Sequence, residues 1–442
     1  MMLERLLERC RTAPVHSPEG VVLDVVGLIV EVGGLRAAVG DALAVEDQNG
    51  SVLEIEVVGF RAGRLLTTPL GVLSGIRPGA RVVRLERGAT VPGSLALLGR
   101  VVDSFGRPLD GGPAIVAEHA CPVNAAPPPA FARRPIDKPF GTGVRAFDAL
   151  LPLGVGQRMG IFAGAGVGKS TLLGMICRSS QADVNVVGLV GERGRELNDF
   201  IRNSLGATGL AKSVVVAATS DMPPLVRARG AESATAIAEY FRNQGKSVLL
   251  VMDSVTRYAM ALREAALAAG EPPATKGYPP SVFAALPRLL ERAGTGSGTG
   301  VITALYTVLV EGDDLSDPIA DTVRSILDGH VVLSRSLAER NHFPAIDVLQ
   351  SISRLAPEIS SEANMRAAGA VRDMMSAYRE AQDLIQVGAY ASGSDPRVDI
   401  AVAANPHIEA FLKQKVSEAS SFEEAHRRLA MLAQMRERGL RS

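Results

Sequence analysis

One short loop carries the residue types that bind nucleotide phosphates. Its glycines leave backbone N–H groups free to converge on phosphate oxygens, and Lys169 supplies a positive charge for the β and γ phosphates. Ser170 is placed to ligate Mg²⁺. An apolar run typical of a buried strand precedes the loop and one typical of a helix follows it, which is the required context. We therefore predict nucleoside triphosphate binding by Ala163, Gly164, Ala165, Gly166, Val167, Gly168, Lys169, Ser170 and Thr171.

Two further segments carry residues suited to triphosphate hydrolysis. Asp253 ends the apolar run 247–252, and a carboxylate at a strand end can hold Mg²⁺, commonly through water. Glu192 and Arg193 follow the apolar run 184–190. The carboxyl ends of strands face the ligand in doubly wound sheets, so this glutamate could orient water and this arginine could stabilise the transferred group. The alternative interpretation of Glu192 and Arg193 is a solvated charge cluster that opens a helix.

A sheet must position these residues, and the sequence from 160 to 335 predicts one. Apolar runs at 184–190, 213–218, 247–252, 301–309 and 330–335 alternate with helical patterns such as 231–243 and 281–293. Alternation of this kind is typical of an α/β core with a largely parallel sheet that is covered on both faces. The strand signals stop after about Ala356, which predicts a small helical domain at the end of the chain. Two helix starts are predicted there, one at Asn405-Pro406 and one at Ser421 to Glu424.

The region before the core predicts a small closed β-barrel. From Val21 to about Leu85, short β-branched runs are separated by turn residues. Phe60 is the one aromatic residue between 19 and 88, and residues 1–88 carry 10 arginines against 11 acidic residues. Because platforms for single-stranded nucleic acid need a basic groove with stacking rings, we expect no nucleic-acid partner. An amphipathic helix near the N-terminus either packs on the barrel or docks on a partner or membrane surface.

The bulk composition is that of a globular chain of two to three domains. The 442 residues are 47% hydrophobic and carry a formal net charge of +0, which gives no overall attraction to nucleic acid. The three cysteines are far apart and form no CxxC pair. Asp24 and Glu31 interrupt the apolar stretch 21–35, and the N-terminus lacks a signal-peptide pattern. We expect a cytoplasmic protein with reduced thiols.

Four segments follow from these patterns. We predict an N-terminal amphipathic helix and linker over 1–18, a β-barrel over 19–88, a phosphate-loop ATPase core over 89–355, and a helical C-terminal domain over 356–442.

Several motifs resemble those of the hexameric rotary-type ATPases related to the ATP synthase α and β subunits. They are AGAGVGKST (163–171), VGERGRE (190–196), MDSVTRYA (252–259), DDLSDPIAD (313–321) and PAIDVLQSIS (344–353). The long run RYAMALREAALAAGEPPATKGYPPSVFAALPRLLERAG (257–294) is similar to the flagellar type III export ATPases, with the injectisome ATPases next. The resemblance implies a barrel, a RecA-like core and a helical domain in that order.

The resemblance also implies a role for the residues of the phosphate site. Lys169 and Ser170 would bind phosphate and Mg²⁺, and Asp253 would hold the metal through water. Glu192 would activate water. Arg193 and Arg257 would lie near the γ phosphate, so ATP would be the substrate and Mg²⁺ its cofactor.

Two matching residues lie outside that site in the sequence. Phe343 matches the aromatic residue that stacks on adenine in the synthase β subunit, and an ordinary core ring is the alternative. Arg354 matches the arginine finger that reaches into the neighbouring subunit's site. Hydrolysis would then require a homohexameric ring.

The family resemblance further implies partners and a location. We expect a stator-like regulatory protein at the N-terminus, a coiled-coil stalk protein in the ring pore, export chaperones, and a membrane export gate that brings the ATPase peripherally to the inner membrane. Besides the injectisome alternative, a ring-shaped RNA translocase and a non-catalytic nucleotide-binding subunit are rivals from other classes. The lack of stacking aromatics and the near-neutral net charge of the barrel argue against the first rival, and Glu192 argues against the second.

Overall fold

A computed structural model describes residues 19–48, 50–85, 88–310, 312, 314 and 316–439. The amphipathic helix and linker predicted for 1–18 lie outside these residues. By its contacts the chain divides into two units. The first unit comprises Met1–Thr90, Met222–Val226 and Glu264–Pro272. The second unit comprises Val91–Asp221, Arg227–Arg263 and Pro273–Ser442. The segment boundaries at 88 and 355 stay predictions.

The first unit contains a closed six-stranded barrel. Its strands pair antiparallel in the order β1-β2-β5-β4-β3-β6, and β6 pairs again with β1. Apolar side chains such as Val30, Leu43 and Ile55 fill the interior, whereas Phe60 is 56% exposed. The predicted barrel is confirmed, with strands β1 Glu19–Val26, β2 Ile29–Gly33, β3 Ala42–Glu46, β4 Val52–Arg61, β5 Arg64–Pro69 and β6 Arg81–Arg84.

The second unit is built on a mixed sheet in the order β19-β18-β12-β17-β15-β13-β14-β8, with β16 paired to β17. Its pairs are parallel except β18 with β19 and β16 with β17. The strands after the barrel are β7 Thr90–Gly93, β8 Val101–Val102, β9 His119–Pro122, β10 Pro139–Phe140, β11 Leu153–Gly154, β12 Arg158–Ala163, β13 Val184–Glu192, β14 Ser213–Thr219, β15 Ser247–Asp253, β16 Gly294–Thr295, β17 Val301–Leu309, β18 Gly329–Leu333 and β19 Ile346–Ser353.

The central strands are buried on both faces, as their continuous apolar runs predict. Consecutive residues of β13, β15 and β17 are buried almost throughout. The α/β core is therefore confirmed. The sequence patterns do not predict β8, β16 or β19, and the residues of β19 enter the sequence analysis only as part of a family motif.

Helices alternate with these strands and then continue alone to the C-terminal end of the described chain. None of them, within the described ranges, is both long and apolar enough to span a bilayer. They are α1 Lys169–Ser179, α2 Gly194–Asp199, α3 Gly206–Ala211, α4 Pro224–Asn243, α5 Val255–Ala268, α6 Pro280–Leu290, α7 Pro318–Ile326, α8 Arg335–Glu339, α9 Ala356–Ile359, α10 Glu362–Gln386, α11 Pro396–Leu412 and α12 Phe422–Gly439.

The last three helices pack against one another, and their starts test two of the predicted caps. Ser421 accepts a hydrogen bond from the backbone of Glu424 at 3.2 Å just as α12 begins, so that helix start is confirmed. The start predicted at Asn405-Pro406 is wrong, because Pro406 lies inside α11. The helix begins instead at Pro396, with Asp395 accepting from the backbone of Arg397.

Candidate active site

The phosphate-type loop turns sharply between β12 and α1. The strand ends at Ala163 and the helix begins at Lys169. Gly166 and Gly168 have φ of +78° and +87°, a region in which a side chain would be strained. The first turn of α1 leaves its N–H groups without partners inside the helix, and they can meet an anion. The loop has the backbone that a phosphate cradle requires.

The strand order gathers the predicted acids beside this loop. β12, β17, β15 and β13 are parallel neighbours, so their carboxyl ends lie at the same edge of the sheet. We call this the loop edge. Asp253 ends β15 and Glu192 ends β13, while Thr307 lies near the end of β17.

Lys169 and Asp253 form the centre of the cluster. The Lys169 Nζ lies 2.5 Å from Asp253 Oδ1 and 3.8 Å from Glu192 Oε1. Thr307 donates its hydroxyl to the same Asp253 oxygen at 2.7 Å. Because Asp253 is only 2% exposed, its carboxylate depends on these partners in place of water.

Glu192 lies in a setting that favours its protonated form. Burial raises the pKa of the Glu192 carboxyl to about 7, and a hydrogen bond with Glu196 and the charge of Asp253 act in the same direction. Lys169 and Arg257 oppose the shift, and the Arg257 Nε lies 3.4 Å from Glu192 Oε1. A carboxyl group with a pKa near neutral can exchange a proton with water at physiological pH.

A bulge at the end of β13 aims Glu192 into the cluster. The pairing of β13 with β14 shifts between Val190 and Glu192, and Gly191 between them has φ of +69°. A Cβ at Gly191 would lie 2.9 Å from the Cδ of Arg257. The missing side chain therefore lets Arg257 cross the bulge and reach Glu192.

Arg193, in contrast, is not brought into the cluster. Its side chain is 78% exposed, and its Nη1 lies 3.8 Å from Glu196 Oε1. Arg193 directly precedes α2, so the alternative interpretation, a solvated charge at the start of a helix, describes its position in this structure. Glu192, its neighbour in sequence, is the last residue of β13 and is directed into the cluster by the bulge at Gly191.

The residues at the loop edge could hold a magnesium ion. Ser170 is exposed in the first turn of α1, and Asp253 offers a carboxylate on the neighbouring side. Across the part of the chain that the structure describes, no group of three or more His, Cys, Asp or Glu is placed to hold a metal by itself. One hydroxyl and one carboxylate, completed by substrate phosphates and water, form a donor set that suits Mg²⁺.

Phe343 lies against the loop although it is 175 residues away from Gly168 in the sequence. A Cβ at Gly168 would lie 3.4 Å from Phe343 Cδ1. The Phe343 residue is 40% exposed, so its ring is not an ordinary core ring. The structure places an open aromatic ring beside the phosphate-type loop.

Arg354 lies at the opposite edge of the same sheet. Strand β19 runs antiparallel to β18, with Ile346 beside Leu333 and Ser353 beside Gly329. Leu333 in turn pairs with Ala163, so only the start of β19 is near the loop. Eight residues of strand span about 26 Å, which separates Arg354 from Lys169 of its own chain.

The surroundings of Arg354 are open. Its backbone N–H donates to the carbonyl of Asp328 at 3.0 Å, and its Nη2 lies 3.3 Å from the carbonyl of Arg324. It lines a cavity of about 450 Å³ together with Ile352 and Met365. Ile352 is 47% exposed and Met365 is 37% exposed.

Sequence reasoning missed two residues of the cluster. Thr307 is a hydroxyl inside the apolar run 301–309, and this irregularity was the available signal. Glu196 lies four residues after Glu192, and only the shift in the Glu192 pKa shows that the two carboxyl groups interact. Neither pattern is specific without the sheet order.

Comparisons with known proteins agree with this geometry. The ATP synthase alpha/beta family, nucleotide-binding domain, matches residues 143–353, and the T3SS EscN ATPase C-terminal domain matches 360–431. The "Flagellum-specific ATP synthase" of Pseudomonas aeruginosa is 52% identical, covering 94% of this chain and 93% of the relative. The chain belongs to this family of flagellar and type III secretion ATPases. It is an enzyme that binds and hydrolyses ATP.

Relatives of both kinds are similarly close to this ATPase. The "Flagellum-specific ATP synthase" of Bacillus subtilis is 48% identical over 96% of this chain and 97% of the relative. The "Type 3 secretion system ATPase" of Xanthomonas euvesicatoria is 51% identical over 96% of each chain. The assembled ATPase EscN from the enteropathogenic E. coli type III secretion system superposes with a TM-score of 0.88 and 44% identity, covering 94% of this chain and all of EscN. EscN is also known in complex with its central stalk EscO.

Proposed function

We propose that this ATPase supports the export of flagellar proteins through a type III apparatus and works as a homohexameric ring. The proposal that this site hydrolyses ATP rests on one observation, the cluster of Lys169, Asp253 and Glu192 at the loop edge. The duty in export is supported by the similarity to flagellum-specific relatives over almost the whole chain.

In this proposal the loop from Ala163 to Thr171 cradles the triphosphate, and Lys169 exchanges its pairing with Asp253 for the β and γ phosphates. Ser170 and Asp253 would hold Mg²⁺. When bound, Mg²⁺ neutralises charge on the phosphate oxygens. The freed Asp253 carboxylate stays oriented by the hydroxyl of Thr307.

Glu192 orients the attacking water and takes up its proton. Its position beside Lys169 and its pKa of about 7 support this role. Arg257 stabilises the developing charge from the same side of the cluster. Arg193 needs a change of side-chain conformation before it can approach the γ phosphate, because its side chain is exposed and lies outside the cluster.

Phe343 would contact the base and Arg354 would act on the neighbouring subunit. The open ring beside Gly168 supports the first role. The antiparallel course of β19 supports the second, because it keeps Arg354 away from the loop of its own chain. Each complete site then combines Lys169 of one subunit with Arg354 of the next.

The proposed partners follow from the family rather than from the contacts in this chain. We propose a stator-like regulator at residues 1–18, a coiled-coil stalk in the pore, export chaperones, and a membrane export gate at the cytoplasmic face of the inner membrane. The central stalk EscO, which forms a complex with EscN, supports the second of these. The exposed and solitary Phe60 gives no stacking platform for RNA, so added RNA should not stimulate hydrolysis.

The direct test of the active site is Glu192→Gln. We expect kcat to fall by about 10² to 10⁴ because the variant cannot accept a proton, while ATP still binds. The matched control is Glu339→Gln, which makes the same change at an exposed position of α8 and should leave kcat unchanged. Normal hydrolysis by Glu192→Gln would remove Glu192 from the mechanism and revive the non-catalytic alternative.

Flagellar duty requires a separate experiment. Identities of 52% and 51% do not distinguish the flagellar and secretion relatives. A pull-down of the tagged chain from its own organism should recover flagellar export components. Recovery of injectisome components instead would favour the alternative.

A further inference from the structure

The loop between α11 and α12, residues 413–420, joins the C-terminal helices to the nucleotide site. We call it the bracing loop. Its residue Gln414 is only 4% exposed. The backbone N–H of Gln414 donates to the carbonyl of Phe343 at 3.0 Å. Because Phe343 is 40% exposed, this hydrogen bond is a link between the bracing loop and the main chain from which the ring projects.

The side chain of Gln414 holds the bracing loop against the start of the core. Its Oε1 accepts from the backbone N–H of Arg145 at 2.9 Å. Its Nε2 donates to the carbonyl of Gly143 at 2.7 Å and to that of Glu418 at 2.9 Å. One buried amide thus satisfies three backbone groups, and its loss would remove one hydrogen bond from each of them.

Arg145 fixes the other side of the bracing loop. Its guanidinium donates to the carbonyls of Phe411 at 2.7 Å and Lys413 at 2.6 Å, which lie at the end of α11, where helix carbonyls lack partners. It also pairs with the carboxylate of Glu418. The Arg145 side chain is 3% exposed, so its charge depends on these contacts.

The bracing loop also reaches the far end of the helix that follows the phosphate loop. Arg178, in the last turn of α1, donates to the carbonyl of Val416 at 2.8 Å. Phe343 and α1 are therefore tied to the same eight residues. The loop edge is in this way bounded on one side by the C-terminal helices.

We propose that Gln414 is a positioning residue for nucleotide selectivity. It acts through the backbone of Phe343 and sets the distance between the Phe343 ring and the phosphate-type loop. The inference rests on the proposed contact between Phe343 and the base. It predicts that the C-terminal helices influence how the base is bound but not how the phosphates are bound.

The test compares two ligands on each variant. ATP carries a base and inorganic tripolyphosphate does not, so only ATP should be sensitive to the position of the Phe343 ring. We expect Gln414→Leu to raise the Kd for ATP five- to tenfold and to leave the Kd for tripolyphosphate within twofold, with kcat little changed. The matched control Gln434→Leu, at an exposed position of α12, should change neither Kd.

If Gln414 had only a structural role, Gln414→Leu would weaken the binding of ATP and of tripolyphosphate equally, and that result would overturn the inference. If Gln414→Leu fails to fold, Glu418→Gln provides the same test, because it removes the ion pair of the bracing loop with Arg145 and keeps the amide of Gln414. It should raise the Kd for ATP about threefold and spare tripolyphosphate.

Phe343→Ala separates this inference from the proposed function. If Phe343→Ala leaves the ratio of the two Kd values unchanged, the contact with the base is wrong. If Phe343→Ala changes that ratio and Gln414→Leu does not, the base contact stands and the positioning role is wrong. If both substitutions change the ratio, the double variant should bind ATP no more weakly than Phe343→Ala alone, because both substitutions act on the same contact.

Discussion

The loop edge of the central sheet and the opposite edge at the end of β19 differ in how fully their charges are compensated. At the loop edge, Asp253 is buried and held by Lys169 and Thr307. At the opposite edge, Arg354 and Ile352 are exposed around an open cavity. An edge whose charges are paired within one chain can form the phosphate-binding half of the site without a partner subunit. An exposed arginine beside apolar side chains is suited to contact another molecule.

The sharpest test of this difference mixes two inactive chains. Arg354→Ala should lower kcat by about 10³ to 10⁵, the range expected for an arginine finger, and Glu192→Gln inactivates the other half of the site. In an equal mixture, about a quarter of neighbouring pairs combine an intact Glu192 with an intact Arg354. We expect ATPase activity to reappear on mixing. Two variants that stay inactive when mixed would mean that Arg354 acts within its own chain.

The loop edge should also respond to pH. Because the native pKa of Glu192 is about 7, kcat/KM should fall about tenfold per unit below that pH, and about 100-fold by pH 5. Glu196→Gln removes a hydrogen bond that raises this pKa, so it should move the midpoint to lower pH. A midpoint that stays in place would exclude Glu192 as the titrating group.

The same shift predicts a change in stability. Between about pH 4.5 and 7, native Glu192 keeps a proton that the unfolded chain has released. The free energy of unfolding should therefore decrease as pH rises through this range, by about 2 to 3 kcal/mol from Glu192 alone. Urea unfolding at pH 5 and pH 8 measures this decrease. In Glu192→Gln the contribution should be absent.

The opposite edge should respond to protein concentration. Ile352→Asp places a charge beside Arg354 and should raise the protein concentration that gives half-maximal ATPase activity about tenfold, which is about 1.4 kcal/mol of assembly energy. Leu384→Asp is the control, because Leu384 is similarly exposed on α10 but lies outside the cavity of Arg354. Equal behaviour of the two variants would mean that Ile352 is not at a subunit contact.

The smallest expected effect is that of Thr307→Val. The substitution keeps the shape of the side chain and removes one of the hydrogen-bond partners of Asp253. The free energy of unfolding should therefore fall by about 1 to 2 kcal/mol. Thr303→Val removes a buried hydroxyl that accepts from the backbone of Gly156, and its loss of stability should be similar. Only Thr307→Val should also lower kcat, by a few-fold, if the loop edge depends on the orientation of Asp253.

Much of the fold could be predicted because it depends on local patterns. The glycines and Lys169 mark the loop, and the buried runs at 184–190 and 247–252 mark two of the strands that end in acids. The start of α11 could not be placed correctly, because two Pro-containing caps compete in the sequence and only packing selects Pro396 over Pro406. The sequence also could not show that Glu192 lies in the cluster and Arg193 outside it, because this depends on the bulge at Gly191.

The sequence by itself determined the phosphate-type loop, because such a loop needs only closely spaced glycines, a lysine and the start of a helix. Its acids were also identified in the sequence, each at the end of an apolar run. Only the tertiary structure decided that Thr307 belongs with Asp253, that Phe343 lies beside Gly168, and that Arg354 lies at the opposite edge. These relations depend on strand order and on the antiparallel direction of β19, which long-range pairing sets and no local pattern encodes.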